Sequence, residues 1–510
     1  MTKSRAYNIK RNFASGVVKQ VMNIVFPFII RTIVIYYLGS EYQGISGLFS
    51  SILQMLSLGD LGFSTAVVFA LYKPISEKNN ELINALIGYL QRIYKIVGII
   101  VLVVGLCIFP FLKYLISGHI PDDVNIHILY LIYLFNTVIS YYLFAYKSAL
   151  FNAMQREDVV SNINTVTTLA IRLIQIVLLI AFKNYYIFII VQPLGTIANN
   201  ILLQVISKKI YPEIVPEGTV PAEVKSNLSK QIKALLVSRI ADVARNSLDN
   251  IIISSLIGLS AVAVYDNYLY IYSGIRGFFL VLVGAMQASV GNSLVEETVE
   301  KNYTDLKRVT FLNMLATGWC TTCLVCLYQP FMDIWMRGNS SLILPFISMM
   351  LFCLYFYEIN MGNTVNLYLN GNGFYWQLRW WYIIEAVANL ILNIALGRKL
   401  GIAGILLATI ITIFIFNFVP RVNAVFRHYF KCSSREFYII HTWCFFKTLF
   451  VSGLVYFICS IISISGIIGL VLKGLTAVVL STLLYCLLSF KNEYFKILIG
   501  IVRRSVTRKH

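Results

Sequence analysis

The chain has 510 residues, 58% of them hydrophobic and 13% charged, with a mean hydropathy of +0.74. That balance excludes a soluble globular protein and makes the chain a polytopic membrane protein. The net charge of +19 raises a nucleic-acid partner, but the placement of the charges along the chain points elsewhere.

Fourteen apolar stretches are long enough to cross a hydrocarbon core of about 30 Å. They lie near 12–38, 43–71, 84–112, 126–152, 159–182, 186–206, 234–258, 262–292, 308–330, 342–369, 376–397, 402–426, 441–462 and 468–490. The first has a basic flank, yet it is too long for a signal peptide and no small-residue cleavage site follows, so it is expected to stay. With the N-terminus inside, twenty-six Lys and Arg fall on inner segments and five on outer loops, namely Lys113, Lys183, Arg337, Arg398 and Lys399. This asymmetry satisfies the positive-inside rule, so the basic charge records topology and no nucleic acid is expected. An even number of spans then places both termini on the cytoplasmic side of a cell membrane.

Between the sixth and seventh spans, 207–233 carries Pro212, Pro216, Pro221 and five lysines, the composition of a polar linker. The outer loops are short, the longest near 113–125 and 331–341. A membrane glycosyltransferase, ligase or polymerase acting outside needs a larger loop for its catalytic groups, so the chain does not read as an enzyme. Asp122-Asp123 after Pro121 reads as a solvated turn ahead of a metal pair. Cys320, Cys323 and Cys326 have spacing like part of an iron-sulfur ligand set, but they sit inside a span with no fourth thiol. The five histidines form no ligand spacing either, so no cofactor is expected beyond a coupling H⁺ or Na⁺.

The pattern is written twice. Leu38-Gly39 returns as Ile257-Gly258, the run from Glu77 to Leu82 as Glu300 to Leu306, and the run from Leu150 to Gln155 as Tyr368 to Gly373. Each marker recurs at nearly the same spacing, about 220 positions, which implies duplication of one unit. The expected architecture is all-α, with two pseudo-symmetric six-helix lobes at 1–206 and 234–430 joined by the 207–233 linker. An additional helix pair at 431–490 and a basic tail at 491–510 complete it. Six spans per repeat give both copies one orientation, and two such halves make a transporter the default reading.

Ionisable groups inside spans are costly and mark functional cavities. Arg31, Asp60, Arg172, Asp242, Arg245, Asp249, Arg276, Glu358 and Glu385 lie well inside, whereas Lys19, Lys147, Arg239 and Lys447 lie near span ends where snorkelling explains them. On the seventh span Arg239, Asp242, Arg245, Asn246, Asp249 and Asn250 share an arc of about 140°. That arc lines a wet cavity or forms an internal salt-bridge ladder; the sequence leaves both open. Arg31 and Asp249 lie about 10 and 13 Å from the outer ends of their spans and would pair as a gate. Asp60 falls level with Lys19 instead, and Arg245 and Arg276 share a depth of about 20 Å, suited to an anion between them.

The segment RTIVIYYLGSEYQGISGLFSSILQMLSLGDLGFSTAVVFALYKPISEKN, from Arg31 to Asn79, resembles the N-terminal signature of Wzx-type oligosaccharide flippases. Those are polysaccharide exporters of the multidrug/oligosaccharidyl-lipid/polysaccharide superfamily. SLDNIIISSLIGLSAVAVYDNYLYI from Ser247 to Ile271, and the run from Gly291 to Asn302, extend the resemblance through most of the chain. It implies two six-helix lobes around a V-shaped cavity and two extra helices. It also implies transfer of an undecaprenyl-pyrophosphate-linked repeat unit between leaflets for cell-surface or exopolysaccharide synthesis. Membrane lipid, the polyprenyl-linked oligosaccharide and polysaccharide-assembly proteins are the implied partners. The cationic cavity of the family would be supplied by Arg31, Arg172, Arg245 and Arg276, whose guanidinium groups bind phosphate bidentately. Asp60, Asp242, Asp249 and Glu358 would act as gating or coupling acids. The rival readings are an ion-coupled drug or metabolite antiporter of the same superfamily, a polymerase or ligase, and a non-transporting scaffold.

Overall fold

A computed structural model describes residues 21–57, except Asn23, and 63–496; side chains at 230, 231, 233–242, 244–246, 281, 282, 285, 288, 289 and 295 lie outside the description. Among the described residues all regular structure is helical. The helices in chain order are α1 (Ile24–Tyr37), α2 (Ser40–Leu56), α3 (Phe63–Ser76), α4 (Asn80–Ile108), α5 (Ile126–Tyr142), α6 (Lys147–Ala153), α7 (Glu157–Phe182), α8 (Tyr185–Ile210) and α9 (Ala222–Leu256). They continue with α10 (Leu259–Glu296), α11 (Val299–Trp335), α12 (Phe346–Asn372), α13 (Arg379–Leu400), α14 (Ile402–Thr412), α15 (Val419–Val425), α16 (Arg435–Ile461) and α17 (Gly466–Ser489). Lipid cannot satisfy backbone polar groups, so an apolar chain of this kind closes its hydrogen bonds within helices. Orphan amides at helix starts find side-chain caps: Asn79 accepts from Leu82 N, Asn125 from His127 and Ile128 N, Asn184 from Tyr186 and Ile187 N, and Thr298 from Lys301 N.

Over the described residues, every expected span falls on a helix or on a helix pair. Nine described helices are long and apolar enough to cross a membrane, and the pair α5 and α6, bent by 52°, makes a tenth if it is one broken span. The chain is a multi-pass membrane protein. Two expectations differ in the structure. The 207–233 segment is mostly helical, because α8 runs to Ile210 and α9 starts at Ala222 after the N-capping Pro221. Only the short stretch between them is irregular, and it is packed against α4: Val215 N donates to Asn84 Oδ1 at 3.0 Å, and Arg92 Nη2 donates to Gly218 O at 2.8 Å. Lys147, assigned to snorkelling, is instead 2% exposed, its Nζ donating to Ile214 O of that stretch at 3.4 Å.

The duplication is visible in the backbone. Gly39 and Gly258, at matching places in the two copies, have φ of 120° and 130°. Gly118 and Gly338 have 78° and 72°, Gln155 and Gly373 have 57° and 68°, and Lys183 and Gly401 have 48° and 59°. The left-handed turns thus recur at the spacing of the sequence markers, each closing the equivalent helix end in its own copy.

By contacts the chain divides into Met1–Asp266 and Asn267–His510. The seventh span therefore packs within the first unit, and the reason is steric. A Cβ on Gly44 would lie 2.0 Å from Leu259 O, and one on Gly47 would lie 2.2 Å from Asp266 Oδ2, so two glycines of α2 let α10 begin against its backbone. Ser40 and Ser260 hydroxyls meet at 3.0 Å, and Ser117 N donates to Ser254 O at 2.8 Å, fastening the α9–α10 turn on both sides. Phe49 packs edge-on against Tyr130 and Tyr133 in this unit's core. In the second unit the additional pair α16 and α17 is docked on α11. Thr322 and Ser452 hydroxyls meet at 2.9 Å, Tyr485 Oη donates to Thr448 Oγ1 at 3.1 Å, and a Cβ on Gly318 would lie 2.2 Å from Tyr485 Oη.

Candidate functional site

Helix α7 has two chemically opposite faces. Glu157, Asn164, Thr167, Thr168, Arg172 and Gln175 share one face, within an arc of about 140° at 100° per residue. Val166, Leu173, Ile174, Val177 and Ile180 occupy the other side and are 46–64% exposed. An exposed apolar face in a membrane-spanning helix is a lipid face, so the polar arc must look inward at protein or water. It looks into a cavity of about 580 Å³ walled by α5, α6, α7 and α8.

Local sequence builds the cavity. The break between α5 and α6 places Ser140, Ala145 and Ser148 on its wall, an irregular backbone of the kind membranes tolerate where it lines a cavity. On α8 a Cβ at Gly195 would meet Ile171 Cγ1 at 2.6 Å, so glycine there lets α7 and α8 close on each other. Thr196 Oγ1 donates to Asn136 Oδ1 at 2.7 Å, Thr167 Oγ1 to Asn199 Oδ1 at 3.0 Å and Arg172 Nη1 to Gln175 Oε1 at 2.9 Å. Gln175 Nε2 in turn donates to Phe188 O at 3.0 Å, which fixes the amide that holds Arg172. Asn200 Nδ2 donates to Thr196 O at 2.9 Å; this orients the amide, and its Oδ1 is left buried with no hydrogen-bond partner.

Arg31 of α1 acts electrostatically on Arg172 and, with opposite sign, on Asp266 of α10. Asn250 joins the same place: its Nδ2 donates to Asp266 Oδ1 at 2.9 Å and to Ser51 Oγ at 3.0 Å. Asp249 accepts from Tyr265 Oη at 2.8 Å, and Ser247 Oγ donates to Gln54 Oε1 at 3.4 Å. The described end of the seventh span's polar arc is therefore buried against α2 and α10. Two of the four expected cations, Arg31 and Arg172, thus lie within each other's field in the first unit. Arg276 lies in the second unit with its Nε buried and without a hydrogen bond, and Glu358 lies 7% exposed on α12. Asp60 and the side chains of Asp242 and Arg245 fall outside the described residues, as does the Lys19–Asp60 pairing.

Residues 9–288 match the family described as polysaccharide biosynthesis protein. The chain belongs to that polysaccharide biosynthesis family. A comparison with curated proteins finds no sequence match. Among solved structures the fold is similar to "Lipid II flippase MurJ, inward closed conformation", at 16% identity and TM-score 0.68, covering 94% of this chain and 98% of that one. It is also similar to an inward-facing multidrug resistance MATE family transporter of the MOP superfamily, at 13% identity and TM-score 0.60 over 79% and 93% of the two chains. A third likeness is to the Vibrio cholerae MATE transporter VcmN in the bent form, at 11% identity and TM-score 0.53 over 81% and 95%. This family member therefore has the fold of MOP-superfamily transporters.

Sequence reasoning missed two features of the site. Asp266, near the start of the 262–292 apolar run, is not among the charges placed well inside spans, although Tyr-Asp-Asn-Tyr inside such a run is itself unusual. The uncharged set of Asn164, Thr168, Asn199 and Asn200 escaped a search confined to ionisable groups; the three- and four-residue polar step on α7 was the available signal. Glu385, expected well inside a span, is 1% exposed and accepts from Asn417 Nδ2 at 2.6 Å, a tie between α13 and the π-helical segment Ile413–Phe418.

Proposed function

We propose that this protein carries a polyprenyl-pyrophosphate-linked oligosaccharide across the cytoplasmic membrane for cell-surface polysaccharide synthesis, by exposing its polar interior alternately to the two sides. The observation that carries this reading is the cavity of about 580 Å³ lined by amides, hydroxyls and Arg172, inside helices whose other faces are apolar. A polar recess behind a lipid-facing wall gives a hydrophilic headgroup a path while its apolar tail stays in lipid. Membership of the polysaccharide biosynthesis family supports the cargo. Arg31, Arg172, Arg245 and Arg276 are the proposed cationic partners of the pyrophosphate, and the Lys and Arg distribution supports cytoplasmic termini.

Asp60, Asp242, Asp249 and Glu358 remain proposed gating or coupling acids, with H⁺ or Na⁺ as the coupling ion; Asp266, within the field of Arg31, joins them. The MATE likeness keeps an ion-coupled antiporter as the second reading. Cells lacking the protein separate the two. Under the proposal, lipid-linked oligosaccharide accumulates on the inner leaflet and a membrane-impermeant lectin no longer labels it on spheroplasts. Unchanged labelling with altered drug sensitivity would favour the antiporter instead.

A further inference from the structure

The charge balance of the α5–α8 cavity says more about the cargo than its size does. Among the described residues its wall holds one cation, Arg172, and one anion, Glu157, so that described lining sums to zero formal charge. Arg172 is moreover engaged by Gln175 and repelled by Arg31. The other polar side chains of the described wall are neutral amides and hydroxyls. Such a surface can exchange hydrogen bonds with a hydroxyl-rich solute at little net cost, because each water–ligand bond is replaced by a protein–ligand bond. It does so at greater cost for an acidic saccharide, whose several carboxylates would be desolvated among neutral amides and hydroxyls.

A second, independent feature points to a ligand. Asn200 is 4% exposed and lines the cavity, yet its Oδ1 has no donor. Buried acceptors are normally satisfied, and a small shift of the Asn200 side chain would bring this oxygen, sealed as it stands, to an O–H or N–H of an occupant. The same wall offers Asn164 and Thr168 one turn apart on α7, and Asn199 beside Asn200 on α8, giving paired donors and acceptors from two helices. Carbohydrate hydroxyls, which both donate and accept, are the chemistry that matches them.

We infer that the cavity between α5, α6, α7 and α8 binds an uncharged saccharide, so that the protein selects neutral over acidic sugar units. This rests on the transport reading above and narrows it: the cargo's sugars are neutral where they occupy this site. The test uses the full chain in lipid nanodiscs. Chitotriose, maltotriose, mannotriose and galactotriose serve as neutral probes and trigalacturonic acid as the acidic one, with binding read by saturation-transfer NMR titration.

At least one neutral trisaccharide should bind saturably in the millimolar range, and trigalacturonic acid at least tenfold more weakly. Asn200→Leu and Asn164→Leu should each weaken the neutral probe tenfold or more in protein that keeps the wild-type melting temperature. Should either variant unfold, Thr168→Cys supplies the same reading: the neutral probe should slow maleimide labelling at that position, read by mass spectrometry, and the acidic one should not. The inference is overturned if no neutral probe binds, if the acidic probe binds as tightly, or if both leucine variants bind like wild type. Its failure is distinct from failure of the transport reading. Wild-type rates of lipid-linked oligosaccharide flipping in both leucine variants would sink the site and leave transport standing. Asn200-dependent sugar binding without any flipping would sink transport and leave the site.

Discussion

Gly44→Ala tests the packing that draws the seventh span into the first unit. The added methyl would stand 2.0 Å from Leu259 O, 2.6 Å from Leu259 C and 3.0 Å from Leu259 Cα. Ordinary contact starts at 3.4 Å. To restore it, α2 and the start of α10 must move apart by more than a third of that distance, and closer approach is repulsive. The obstacle is backbone, which cannot swing away as a side-chain tip would. Overpacking of this kind costs about 1–3 kcal/mol, and a backbone clash belongs at the upper end. At about 2–4 °C per kcal/mol for a unit of this size, the expected loss is about 6–12 °C. Scanning fluorimetry in nanodiscs at one fixed scan rate measures it, since unfolding of such a protein is under kinetic control. Gly453→Ala on α16 is the matched control, because nothing lies within 4 Å of its Cβ position and alanine is the better helix former. A Gly44→Ala melting temperature indistinguishable from that of Gly453→Ala would refute the close approach of α2 to the α9–α10 turn.

Asp266→Leu removes a buried carboxyl that accepts from Asn250 Nδ2 at 2.9 Å and should destabilise the protein by about 1–3 kcal/mol; Arg31→Leu added to it should restore part of the lost melting temperature, and no restoration would argue against the coupling. Gly258→Ala forces a φ of 130° on alanine and brings its Cβ to 3.0 Å from Ser117 O; a loss of about 1–3 kcal/mol is expected in thermal melts, with Gly274→Ala unaffected. Gly318→Leu should push Tyr485 away and loosen α16 and α17 from α11, seen as faster hydrogen exchange confined to those helices. Glu436, ahead of the apolar span at 441–462, accepts from Lys307 Nζ at 2.6 Å and from Tyr303 Oη at 2.6 Å, and these bonds hold its carboxyl below the ordinary 4.5. A depressed carboxyl stabilises above its unfolded value and loses that contribution as pH falls through the folded one. The melting difference between wild type and Glu436→Gln should therefore be present at pH 7, corresponding to a few tenths of a kcal/mol for so exposed a pair, and close below 4.5.

The helical layout was legible because lipid leaves the chain one choice for its backbone, and hydropathy reports that choice span by span. The duplication was legible too, since its markers sit where helices end and left-handed turns recur, as Gly39 and Gly258 show. The unit boundary was not. It depends on Gly44 and Gly47 admitting Leu259 and Asp266, a contact between residues more than two hundred positions apart. The linker misled for a similar reason: prolines and lysines mark a polar segment, but its helical second half and its bonds to Asn84 and Arg92 depend on what lies beneath. In the site, Arg31 and Arg172 stood out because a charge in a span is costly. Asn200 and its neighbours did not, because a single amide in a helix carries no such penalty and acquires meaning only when four helices gather several around one space.

Whether a sugar headgroup moves through the polar interior is decided by following a fluorescent polyprenyl-pyrophosphate-linked neutral oligosaccharide in proteoliposomes, as the fraction open to an external glycosidase. The wild-type protein should expose the inner-leaflet pool at a rate well above that of protein-free vesicles, and Arg172→Ala should slow it at least tenfold. Equal rates with and without the folded protein, under both proton and sodium gradients, would mean that the interior carries no such cargo.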